Sequence, residues 1–149
     1  MTKISEPLPV KRTERGWPGH YICADRCIFR RNTLLECGEV RVIISSVGNM
    51  RKLGAPHEID RVGCDRHYET QAFHATFRFD FYWDIDVGSP INFKSPWAID
   101  EKEYRRAGMN VDNVANDMHE AVVNELSYAM AHGETYEQYI DKREFDDEN

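Results

Sequence analysis

Residues 27–47 read "CIFRRNTLLECGEVRVIISSV", from Cys27 to Val47. Two runs rich in aliphatic and β-branched residues, 27–36 and 40–47, flank the tight turn "CGEV" at 37–40, so the stretch reads as a β-hairpin. Side chains alternate along a strand, which sends Arg30 and Arg31 to opposite faces. Arg31 shares its face with Cys27, Phe29, Thr33 and Leu35. That composition marks a core face, where an unpaired arginine is costly. Arg31 therefore needs either a carboxylate within the sheet or an anion from outside. Arg30 falls with Ile28, Asn32, Leu34 and Glu36 on the other face.

Working outward, residues 19–23 ("GHYIC") read as a preceding strand, and 48–65, rich in Gly, Pro and charge, as a long loop. Residues 66–87 alternate clearly, with Phe73, Ala75, Phe77, Phe79, Phe81 and Trp83 on one side and His74, Thr76, Arg78, Asp80, Tyr82 and Asp84 on the other. The pattern predicts one long half-buried strand, or two joined by a bend. A short strand near 91–94 follows, and 95–110 is irregular. After residue 110 the period changes. Val111, Val114, Ala115, Met118, Val122, Leu126, Ala129 and Met130 recur at helical spacing, which predicts a helix over 111–131. Asn110 or Asp112 is placed to cap it and Gly133 to stop it. Thr135 and Gln138 form a capping-box pattern for a second short helix.

Strands first and helices afterwards predict an α+β domain: an N-terminal antiparallel sheet of about five strands, followed by one long and one short helix packed on it. Residues 1–18 read as a flexible polar arm, 19–145 as a single domain and 146–149 as an acidic tail. The aromatic strand face is large for one substantial helix to cover, which predicts a homo-oligomer.

Composition narrows the function. The 149 residues are 41% apolar and 30% charged, ordinary for one globular domain. Apolar runs are too short to span a membrane, and the opening "MTKISEPLPVKRTERGW" lacks the apolar stretch of an export signal, so a cytoplasmic protein is expected. Of the four cysteines, Cys23, Cys27, Cys37 and Cys64, none forms a CxxC pair. They read as buried thiols rather than as zinc ligands with His20. The net charge of −7 is uneven. Residues 1–99 carry 14 Lys/Arg against 12 Asp/Glu, and residues 100–149 carry 5 against 14. Binding of bulk nucleic acid is disfavoured. A small anion in the arginine-rich half is not, because seven arginines and a single lysine lie between Arg26 and Arg66, and arginine forks onto phosphate.

Arg30, Arg31 and Asn32, with Arg26 nearby, suit the phosphate and ribose of a nucleotide. Tyr21, Phe29 and Tyr82 are candidates to stack on its base. Asp80, Asp84 and Asp86 share a face with His74, and Asp84, Asp86 and His74 are the set a metal-dependent phosphodiesterase would use. No HD, HxH or DxDxN signature accompanies them, and a solvated acidic face is the simpler reading. In "DRHYETQAFHATF", His67 and Glu69 fall opposite His74 and read as hydrogen-bonded strand residues. Asn113, Asn116, Asp117 and His119 read as a polar helix face. No Ser-His-Asp order, Gly-rich phosphate loop or thiol–imidazole motif stands out, and no cofactor is expected.

The string "RGWPGHYICADRCIFRRNTLLECGEVRVIISSVGNM", with "YETQAFHA" and "NDMHEAVVNEL", resembles small proteins encoded by bacteriophages and prophages, a group that brings no activity with it. In architecture, the sheet followed by two helices is similar to the phage Thoeris anti-defence sponge family. Members bind cyclic ADP-ribose isomers without cleaving them. They assemble as homo-oligomers with ligand sites between protomers, where arginine and aromatic side chains clasp phosphates and adenine. No motif aligns residue by residue, so no site is carried over. The resemblance implies a phage-derived anti-defence protein that sequesters a nucleotide second messenger. The alternatives are the phosphodiesterase and a protein that inhibits a host defence complex through the acidic helical half.

Overall fold

The computed structural model describes residues 6–16, 18–20, 24–63 and 65–133. An antiparallel sheet is followed by helices, as the change of period predicts. The strands are β1 (Lys11–Glu14), β2 (Cys27–Cys37), β3 (Val40–Lys52), β4 (Ala55–Asp60), β5 (Arg66–Arg78), β6 (Tyr82–Ile91) and β7 (Ala98–Asp100), and the helices are α1 (Glu101–Ala107) and α2 (Val111–Ala131). Spatial order is β1-β2-β3-β5-β6, with β4 on the far end of β3 and β7 on the start of β5.

The β2–β3 hairpin is the centre of the sheet. Its register sets Arg31 opposite Ser46 and Asn32 opposite Ser45, and β5 continues both rows with Thr70 and Gln71. The alternation therefore separates Arg31 from Arg30 and Asn32 as the sequence implies. Gly48 sits where a Cβ would lie 2.1 Å from the Tyr68 ring, so only glycine lets that ring cross the strand.

Helix α2 buries Val111, Ala115, Met118, His119, Val122, Val123, Leu126, Ala129 and Met130. Val122, Val123, Leu126 and Met130 pack on Leu35, Val42, Ile44, Ala72 and Ile91 of the sheet. At the other end of this face, Phe29, Tyr68 and Ile99 pack with Val111, Ala115 and Met118. The opposite face carries its own core, including Leu34, Ile43, Phe73 and Ile85. On this side the His20 ring lies 5.9 Å from Phe73. Ala24, within a 3-10 turn (Ala24–Arg26), packs with Cys27 and Val47, and Arg26 donates to the Arg51 carbonyl at 3.1 Å.

Several boundaries differ from the sequence reading. Residues 11–14 of the expected arm pair with β2 from Glu36 to Thr33. A short, exposed edge strand has no apolar alternation to betray it. The expected loop 48–65 holds the end of β3 and β4, joined at Leu53-Gly54. Gly54, at φ +84°, makes the turn, and β4 is mostly exposed, hence its loop-like composition. Of the expected 91–94 strand only Ile91 lies in a strand, as the last residue of β6, and the next strand, β7, begins at Ala98. The irregular 95–110 stretch contains α1, capped by Asp100, whose side chain accepts from the Glu103 backbone N–H. The D-x-x-E spacing of a capping box was its sequence signal. Asn110 precedes α2 without making a side-chain cap. Among residues 19–23, Gly19 and His20 are not in a strand, and Tyr21–Cys23 lie outside the described residues, as does the expected helix from Thr135. Cys27 and Cys37 are both buried, at opposite ends of an eleven-residue strand. At roughly 3.3 Å per residue they cannot share a zinc ion; Cys23 and Cys64 are outside the described residues.

Candidate functional site

Arg31 has its anions within the chain. Its Nη2 donates to Glu14 Oε1 and Glu120 Oε2, each at 2.8 Å, and its Nε to Glu14 Oε2 at 3.1 Å. Arg12 forks onto the same Glu120 at 2.8 and 2.5 Å. Strand β1 and helix α2 thus meet over β2 through two arginines and two glutamates. Hydrogen bonds from Arg12 hold the Glu120 carboxyl down at about 2 against partial burial, with Arg31 adding to them. Burial works against the Glu14 carboxylate, yet hydrogen bonds from Arg31 and Thr33 hold it below its ordinary range.

Beneath this cluster, hydroxyl groups run to a fully buried histidine, His119. Thr33 Oγ1 donates to Glu14 Oε1 at 2.8 Å, because a carboxylate only accepts. Its oxygen therefore accepts from His119 Nε2, 2.7 Å away. The bare His119 Nδ1 accepts from Ser46 Oγ at 2.7 Å, and Ser46 accepts from Thr70 at 2.6 Å. The network assigns one tautomer, with the proton on Nε2. Burial, with Arg31 nearby, pushes the His119 pKa down to about 4, against attraction from Glu14 and Glu120.

Between pH 6.5 and 4 the unfolded chain binds a proton at residue 119 that the fold refuses, so stability falls as pH falls through that window and this contribution levels off below it. A shift of that size corresponds to about 3 kcal/mol. Urea melts from pH 7 to 4.5 should show that loss, and His119→Gln should flatten it. Equal slopes for the two proteins would refute the assignment.

The opposite face holds a second polar line. His20 Nε2 donates to Glu69 Oε2 at 2.8 Å, and His20 Nδ1 meets Ser45 Oγ at 2.9 Å. Arg66 Nε and the Gln71 amide also donate to Glu69. Serine, histidine and glutamate in a row have the order of a hydrolytic triad. Here Ser45 and Glu69 are fully buried in mid-sheet, and no carbonyl carbon can approach Ser45 Oγ. The line clamps His20 on the sheet. Its sequence signal is the Ser-Ser pair within an apolar strand: one hydroxyl per face, each needing a buried partner.

The other expected ligand groups scatter. Asn32 is fully buried, accepting from Arg15 Nε at 2.8 Å and donating to the Pro18 carbonyl at 3.4 Å. Phe29 is buried edge-on to Tyr68, and Arg26 faces Arg51. Arg30 is half-buried on the face opposite Arg31, and Tyr21 lies outside the described residues. Arg30, Arg31 and Asn32 therefore do not converge on one ligand. Asp84 accepts from the Ile85 N–H and lies 3.5 Å from Arg78, while Asp86 accepts from Gly88 and Ser89. Among the described residues no group of three or more His, Cys, Asp or Glu side chains is placed to hold a metal ion, Asp84, Asp86 and His74 included.

Tyr82 is different, because it stands at an exposed aromatic hairpin. Strands β5 and β6 are joined at Phe79-Asp80-Phe81, where Phe79 and Asp80 have φ of +56° and +55° and Phe81 N–H bonds the Arg78 carbonyl at 2.9 Å. Two successive positive φ values make a type I′ turn, which favours Asn-Gly. A phenylalanine there is strained. Phe79 is 84% exposed and Phe81 80%, so neither lies on the strand face that alternation alone assigned them. Tyr82 lies near both rings, with centroids 6.4 and 5.9 Å away. Phe77 and Trp83 lean together at 5.0 Å, with the Arg41 guanidinium 4.3 Å above the Trp83 ring. The hairpin therefore carries Phe77, Trp83 and Arg41 on one face, Tyr82 and Arg78 on the other, and Phe79 and Phe81 at its tip. No protein-family model, curated protein or solved structure matches this chain.

Proposed function

We propose that this protein binds and sequesters a small nucleotide second messenger without cleaving it, as a homo-oligomer whose protomers meet around the β5–β6 hairpin, in the manner of a phage anti-defence sponge. The observation that carries this reading is the strained, solvent-facing aromatic tip. Holding Phe79 in the left-handed region costs roughly 1–2 kcal/mol, and exposing its ring to water gains nothing in a lone protomer. A stacking partner and a second protomer recover both. Aromatic faces beside guanidinium groups suit a base and its phosphates. The ligand set we infer is divided between faces, with Phe77, Trp83 and Arg41 on one side of the hairpin and Tyr82 with Arg78 on the other, so a ligand held between protomers takes one set from each chain. The half-buried Arg31 and the buried Asn32 are structural in this reading.

The test is to incubate the purified protein with cyclic ADP-ribose and a panel of cyclic dinucleotides. Heat-released ligand is then identified by mass spectrometry, and mass in solution by light scattering. An assembly larger than the 17.4 kDa chain and a nucleotide returned intact are expected. Phe79→Asn with Asp80→Gly supplies the preferred turn, so it should melt higher than the parent while losing both assembly and ligand. A cleaved nucleotide, or a parent protein that is monomeric and binds none of the panel, would overturn the reading. A variant that still assembles and binds would remove the hairpin from the site.

A further inference from the structure

A cavity of about 530 Å³ opens between the first half of α2 and residues 96–103, away from the hairpin. Val114, Met118 and Ala121 of α2 line it together with Asp100, Glu103 and Asp117. Its size is that of a small-molecule site. The carboxylates differ in their commitments. Asp100 caps α1, and Glu103 is held by Arg106 in both oxygens. Asp117 is exposed and makes no hydrogen bond or ion pair with any described residue. An apolar lining under an uncompensated carboxylate excludes a nucleotide, whose phosphates it repels. It matches a molecule with an apolar stem and one positive charge.

We propose that this cavity is a binding site for a small organic cation, an amine or guanidine carried on an aryl or alkyl stem. The stem lies along Val114, Met118 and Ala121, and the cationic head meets Asp117, with Glu103 and Asp100 adding longer-range attraction. The site is independent of the nucleotide reading and takes a ligand of opposite charge.

Three probes with one stem test it on the full chain by calorimetry: 4-phenylbutylamine, 4-phenylbutanol and 4-phenylbutyrate. The amine should bind at least about tenfold more tightly than the alcohol, and the carboxylate should not bind. Added salt should weaken the amine alone. Asp117→Asn, a surface change that leaves the fold intact, should bring amine and alcohol to parity. Ala121→Phe fills the cavity and should abolish binding of both. The proposal is overturned if the amine does not bind at about 10 mM. It is equally overturned if amine and alcohol bind alike in the parent, or if Asp117→Asn leaves their ratio unchanged.

Discussion

Glu69→Ala should destabilise the protein by about 3–5 kcal/mol, the range for removing one partner of a buried ion pair. Glu69 is fully buried and takes donors from Arg66, His20 and Gln71. Its removal leaves the Arg66 guanidinium, only 21% exposed, with the exposed Asp65 carboxylate and the face of Trp97 in its place. It also unfastens His20, which the same carboxylate holds beside Ser45. Stabilities of natural domains are about 5–15 kcal/mol, so a large share of the fold is at stake. Glu69→Gln keeps an acceptor oxygen and should lose less. Urea denaturation of the three proteins gives the comparison. A midpoint for Glu69→Ala within error of the parent would show that the second face is not held by this residue.

Val122→Asp should be more severe and leave no cooperative transition at neutral pH. Val122 is fully buried among the aliphatic side chains of Leu35, Ile44 and Leu126. The change removes apolar contact worth about 1–3 kcal/mol and adds an unpaired carboxylate whose burial costs several more. Asn116→Ala, on the same helix, gives up a 3.4 Å contact with Arg31 that already has two carboxylates, and should cost no more than about 0.5–1 kcal/mol. Circular dichroism melts separate the two. An unchanged melt for Val122→Asp would refute the packing of α2.

The candidate site was less legible than the fold. Alternation placed Arg30 and Arg31 on opposite faces, and the helical stripe identified the buried side of α2, because both depend on neighbours within a few residues. The aromatic run at 73–83 is legible in the sequence, but its period of two continues past the point where the chain reverses. Asp80 was the one turn-forming residue in "FRFDFYW", too slight a mark to locate a hairpin among aromatics. Strands β1 and β4 leave no such mark, because an exposed edge strand need not alternate.

The sequence alone determined the α+β class, the order of sheet then helix and the faces of the central strand, since backbone periodicity is local. It also showed that Arg31 required an anion. Which anion was decided by tertiary structure: Glu14, 17 residues earlier, and Glu120, 89 residues later, reach the same guanidinium. Likewise Ser45 and Ser46, adjacent in the chain, bind His20 on one face and His119 on the other. Such pairings depend on the register of β2, β3 and β5 and on where α2 crosses them, and no pattern of spacing along one chain carries that information.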